Sequence, residues 1–138
     1  MTDELREKFM EFQMLQKHME HMNEQVQMLH QQIVEVDISM TAIEEIGKVE
    51  VGNEVLAPVA NGIFIKTKLD DNAKLIVNVG SNTTVERTPA EIVSLLEEQK
   101  SKMSAKITEA EALMQDFSQQ AMKIYEQVEK AQEKDVQN

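Results

Sequence analysis

The sequence predicts an α+β fold: a long antiparallel two-helix coiled coil with two β-hairpins inserted between the helices. Three observations carry that expectation. Apolar residues recur with a seven-residue period in both outer parts of the 138-residue chain. All four glycines (47, 52, 62, 80) and both prolines (58, 89) fall between residues 47 and 89, so neither outer arm has an interior helix breaker. Between the arms the period changes to strand-like alternation punctuated by turn residues.

The first arm, residues 3–46, reads as one helix. With Leu5 as position a, the a series is Leu5, Phe12, Met19, Val26, Ile33 and Met40, and the d series is Lys8, Leu15, Met22, Leu29, Val36 and Ile43. Only Lys8 is polar. Six heptads in register exceed the three or four that identify a coiled coil. Thr2 or Asp3 can cap its start, and Gly47 stands where a C′ glycine would end it.

Residues 47–88 read as two hairpins. Val55 to Val59 and Ile63 to Leu69 flank Asn61-Gly62, a pair suited to the positive φ angles of a type I′ turn. Ile63, Ile65 and Leu69 share one face, and Lys66 and Lys68 the other. Asp70-Asp71-Asn72 turns the chain into Lys74 to Val79, with Leu75, Val77 and Val79 on one side; Gly80-Ser81-Asn82 turns it again into Thr83 to Arg87. Two short hairpins cannot close a stable sheet unaided, and Pro58 suits an edge strand, so this block is expected to complete its core with other chains. Val55, Val59, Ile63, Ile65, Leu75, Val77 and Val79 are the residues expected to carry that assembly.

The last arm, residues 89–134, repeats the heptad. Its a series is Val93, Lys100, Ile107, Met114, Ala121 and Val128, and its d series Leu96, Met103, Ala110, Phe117, Ile124 and Ala131. Thr88-Pro89-Ala90-Glu91 is a capping box with proline at the first helical position, in which Glu91 would reach back to the cap amide. Arms of equal length on either side of a short insert imply an antiparallel pair. Ile43 then lies near Val93, opposed residue numbers sum to about 136, and Phe12 faces Ile124.

Composition narrows the function. With 25 acidic and 14 basic residues the net charge is −11, and it is concentrated in the arms: −7 over residues 1–46, zero over 47–88 and −4 over 89–138. Such a chain is expected to bind neither nucleic acid through phosphate neutralisation nor an anionic membrane surface. The absence of cysteine removes disulfides, thiolate zinc sites and a cysteine nucleophile. The charged N-terminus is followed by no apolar signal region, and no apolar run reaches membrane-spanning length; a cytoplasmic protein is expected.

Chemical constellations are sparse. His18 and His21 are three residues apart on a helix, with Glu11 and Glu24 nearby, but occupy g and c positions outside the seam; two ligands without a third make a poor zinc site. No glycine-rich phosphate loop is present, and the carboxylates lie mainly on exposed arm faces, where charge usually serves solvation. No catalytic, cofactor or metal site, and no enzyme activity, is expected. What remains is apolar surface near the ends of the arms remote from the insert. Phe9, Met10 and Met14 of the first arm and Met122 and Tyr125 of the second lie outside the a and d positions. Either they pack locally and widen the seam, or they form a binding surface, to which flexible methionine is suited. On the second reading Phe9, Phe12, Met14, Ile124, Tyr125 and Val128 are expected to touch a partner, with Leu5 and Met10 beside them.

The stretch Val55-Leu56-Ala57-Pro58-Val59-Ala60-Asn61-Gly62-Ile63-Phe64-Ile65-Lys66, together with Val77-Asn78-Val79-Gly80 and Val85-Glu86, resembles the hairpins of α-type subunits of the prefoldin family; Ala57 stands where that pattern has valine. The resemblance extends along essentially the whole chain, and two hairpins rather than one point to the α-type. It implies an α2β4 hexamer with β-type prefoldin subunits, in which the hairpins assemble into a β-barrel platform carrying the coiled coils. It also implies a molecular co-chaperone that captures non-native client proteins at the coiled-coil tips and delivers them to a group II chaperonin without ATP. The competing expectation is an α-related filament-forming or scaffold protein that polymerises through its strand block.

Overall fold

The computed structural model describes residues 2–137, and side chains over residues 2–134; residues 1 and 138 of the expected 1–138 unit lie outside the described residues. The element order is α1 (Asp3–Lys48), β1 (Glu54–Ala60), β2 (Ile63–Lys68), β3 (Leu75–Gly80), β4 (Thr83–Arg87) and α2 (Pro89–Gln137). The chain divides into two units. One joins the part of α1 up to Gln32 to the part of α2 from Lys102 onward; the other is Ile33–Ser101.

Burial follows the heptads. Every a and d position named above is buried or half-buried, while nearly all remaining helical positions are exposed. In the first unit Leu15, Ala121 and Ile124 form a buried cluster, with Phe12, Met19, Phe117 and Val128 packed against it. Phe12 lies 6.3 Å from Tyr125 and His18 lies 6.1 Å from Phe117, centroid to centroid. In the second unit the Lys100 ammonium sits 2.8 Å from Asp37 Oδ1, and Gly47 approaches Pro89. The first three of these pairs lie within one residue of the expected sum of 136, so the helices are antiparallel in the expected register. Lys100 occupies an a position yet keeps its charge half-exposed and paired, a device that favours one register over its neighbours.

The helix ends differ from expectation in two places. Thr2 caps α1, its Oγ1 accepting the Leu5 amide at 3.3 Å. Gly47, however, does not end α1: the helix continues to Lys48, and the glycines at positive φ are Gly52, Gly62 and Gly80. The last carbonyls of α1 are satisfied by a side chain instead. Asn72 Nδ2 donates to Ile46 O at 3.0 Å and, just past the helix, to Val49 O at 2.7 Å, while the Val49 amide donates to Ile46 O at 3.3 Å, so no left-handed C′ residue is required there. At α2, Thr88 Oγ1 accepts the Glu91 amide at 3.2 Å as expected, but the Glu91 carboxylate lies beside Arg87 Nε at 3.9 Å rather than turning back to the cap amide.

The strands form two separate two-stranded sheets, β1-β2 and β3-β4. In the first, Glu54 pairs with Lys68 and Pro58 with Phe64, and a register shift around Val59 brings Ala60 opposite Ile63. The Asn61-Gly62 turn is not the expected type I′: only Gly62, at φ 79°, enters the left-handed region. The type I′ signature falls on the second hairpin. There Ser81 and Asn82, at φ 49° and 60°, link Gly80 to its partner Thr83.

Candidate functional site

Two surfaces carry the residues singled out in the sequence. The first lies at the beginning of α1 and the end of α2. Here the six expected contact residues separate into two groups. Ile124, a d residue, is buried at 8% exposure, and the a residues Phe12 and Val128 are half-buried against the same cluster. Phe9 (47% exposed), Met14 and Tyr125 (59%) stand outside the seam in water, as do Met10 and Met122; Leu5 is buried. A two-helix seam has room for one a–d stripe, so side chains at the e, f, b and c positions have nothing to pack beneath. Local packing therefore accounts for Phe12, Ile124 and Val128 but leaves Phe9, Met14 and Tyr125 accessible.

The flanks of this end differ in charge. Phe12, Ser118, Ala121, Met122 and Tyr125 line an open groove bordered by Glu126 and Glu129. A separate groove is lined by Lys8, Lys130 and Lys134 with Gln127, Ala131 and Glu133. Lys8, the polar residue of the first d series, thus opens onto the lysine-bearing side. The histidines point to different partners: His18 lies against Phe117, and His21 Nε2 is 3.3 Å from Gln25 Nε2.

The second surface is the strand block. Of the seven residues expected to mediate assembly, Val59, Ile63, Ile65 and Val79 are exposed, and Val55, Leu75 and Val77 are half-buried. Cross-strand partners share a face, so Ala57 lies with Ile65, and Val77 with Val85. The opposite faces hold residues that sequence reasoning passed over. Leu56 and Phe64 are exposed, and Ile76 is 74% exposed. Leu56 lies across from Lys66, on the face assigned to the lysines, and Ile76 lies across from Glu86. The available signal was that β1-β2 is apolar on both sides. Neither sheet lends its outer edges to the other, leaving main-chain donors and acceptors available to further strands.

Two long helices in antiparallel register, joined by a pair of separate hairpins with exposed apolar faces, define a coiled-coil subunit with a strand block open to pairing. Comparison with known proteins narrows this further. The sequence model of the family described as "Prefoldin subunit" matches residues 15–134, and the chain belongs to the prefoldin family, as an α-type member. It is 29% identical over 116 residues to prefoldin subunit alpha of Thermofilum pendens, covering 84% of this chain and 88% of that protein. It is 26% identical over 125 residues to prefoldin subunit alpha of Pyrococcus horikoshii, covering 90% and 84%. Among solved structures, filamentous PFD from Methanocaldococcus jannaschii matches the fold with a TM-score of 0.76 at 17% identity, over 85% of this chain and 97% of that one. Family membership supports a chaperone-type role, in a family that is not enzymatic. Among the described residues no helix is long and apolar enough to cross a membrane.

Proposed function

We propose that this chain is a subunit of an ATP-independent co-chaperone that captures non-native proteins at the free ends of α1 and α2 and delivers them to a group II chaperonin in the cytoplasm. The observation that carries the reading is the set of exposed Phe9, Met14 and Tyr125 side chains at those ends, outside a seam that is already complete. Phe12, Ile124 and Val128 support them from the seam and become contacts where a client wedges the helices apart. Each end grips weakly; several ends carried on one platform raise the effective concentration of binding sites, so a client is held without any tight single contact.

On this reading residues 3–46 and 89–134 are the capturing arms and residues 47–88 the assembly module. The hairpins join those of β-type prefoldin subunits into β-barrels within an α2β4 hexamer, using the open edges and Val55, Val59, Ile63, Ile65, Leu75, Val77 and Val79. Trimming both arms by about two heptads should leave the oligomer intact by native mass while ending suppression of client aggregation. Full suppression by the trimmed protein would remove the tips from the mechanism. Open edges on both sheets also suit the competing reading, polymerisation into a filament. Mixing with a β-type subunit and sizing the product separates the two: a finite hexamer supports the co-chaperone, and a ladder of sizes the filament.

A further inference from the structure

We infer that the aromatic groove at the end of α2 selects, among unfolded segments, those in which arginine is set among apolar residues. The inference rests on the capture reading above and names the class of client segment that this end prefers. The groove has a volume of about 450 Å³ and is lined by Phe12, Ala121, Met122 and Tyr125, with Ser118, Glu126 and Glu129 completing the lining. Its apolar lining would accept any aliphatic or aromatic side chain. Its polar border is one-sided, since both charged residues are carboxylates.

Helical spacing sets those carboxylates beside the apolar groups. Glu129 is four residues beyond Tyr125 and Glu126 four beyond Met122, the separation that places side chains on one face. Neither glutamate has an ion-pair partner among the described residues. Lys130, although adjacent in sequence to Glu129, lines the other groove with Lys8 and Lys134. The border of the aromatic groove is therefore not neutralised by its own lysines. Tyr125 is largely exposed and its ring is tilted 40° to that of Phe12, so it offers an accessible π face close to two unpaired carboxylates.

That combination fits a guanidinium. The planar arginine head stacks on an aromatic face, its donors fork onto carboxylates, and its aliphatic stem lies along apolar walls. A carboxylate-bearing segment would meet Glu126 and Glu129 with like charge. Selectivity is then a difference between two segments of similar hydropathy, arising from attraction of one and repulsion of the other.

The test uses the full-length protein and labelled unstructured peptides rich in Leu and Ala that differ only in carrying Arg, Gln or Glu at the same positions. The Arg peptide should bind about tenfold more tightly than the Glu peptide at low salt, and the gap should shrink several-fold near 0.5 M NaCl. The pair Glu126→Gln and Glu129→Gln should bring the two peptides to about equal affinity. The pair Glu109→Gln and Glu111→Gln, which removes the same charge outside the groove, should leave the gap in place. Equal binding of Arg and Glu peptides to the unaltered protein, or equal effects of the two glutamate pairs, would overturn the inference. If the Gln peptide competes with an unfolded client while Arg and Glu peptides bind equally, only the charge preference falls. If the Gln peptide does not compete at all, capture at this end falls with it.

Discussion

Asn72 shows how much one side chain outside the regular elements can decide. It sits between β2 and β3, and its amide donates to Val49 O and Ile46 O, with Gly47 O at 3.4 Å, gathering carbonyls at and just past the end of α1, where Ile46 O also accepts the Val49 amide. Asp71 holds the same turn by accepting the Ala73 amide at 2.8 Å. Asn72→Ala removes the donor and leaves Val49 O to water or to no partner, which should cost about 1–2 kcal/mol in chemical denaturation. Asn72→Asp should cost at least as much, because a carboxylate cannot donate to the carbonyls and meets the negative end of the helix dipole. A cost of the same size for Asp70→Ala, a neighbour without this role, would remove the clasp from the explanation.

At the scale of the element, the seams explain why the helices pair and the ion pair helps explain why they pair in this register. Apolar a and d residues tolerate a slip of one heptad, since Leu, Met, Ile and Val recur throughout. Lys100 does not: displaced from Asp37, its ammonium would lie in an apolar seam without its partner. Both side chains are more than 40% exposed, so the pair contributes modestly to stability. Asp37→Lys should lower the unfolding midpoint slightly, by less than about 1 kcal/mol, and the exchange Asp37→Lys with Lys100→Asp should recover at least half of that loss. Additive losses in the double variant would mean the two charges act independently.

At the scale of the whole molecule, the described residues hold little private core. The buried apolar side chains are the seam residues Leu5, Leu15, Val26, Val36, Ile107, Ala121 and Ile124, joined by Ile92, and each keeps at least 6% of its surface exposed. The strand block adds no buried residue. Its apolar faces are therefore only half of a structure, and the other half has to come from further chains. Ile65 tests this directly because it is 51% exposed in the isolated chain. Ile65→Asp should leave the helical circular dichroism signal nearly unchanged while releasing monomers from the assembly. An unchanged oligomer by native mass would mean that this face is not an interface.

The sequence by itself determined the elements, their order and the pairing of the helices, because these follow from local periodicity. A seven-residue apolar repeat puts one stripe on a helix wherever it occurs. The same logic carried the family resemblance, which lies in the hairpin residues 55–66, 77–80 and 85–86. The contacts that remained illegible are those between residues distant in the chain. Asn72 read as a turn residue because nothing local reveals a helix end lying 23 positions earlier. Asn61-Gly62 read as a type I′ turn because the pair permits positive φ at both positions, whereas only Gly62 adopts it in the fold. The heptad set Ile124 in the seam and Tyr125 outside it, but left open whether Tyr125 packs locally. Only the tertiary structure left Tyr125 59% exposed beside a buried Ile124, because burial depends on what stands opposite each position of the helix.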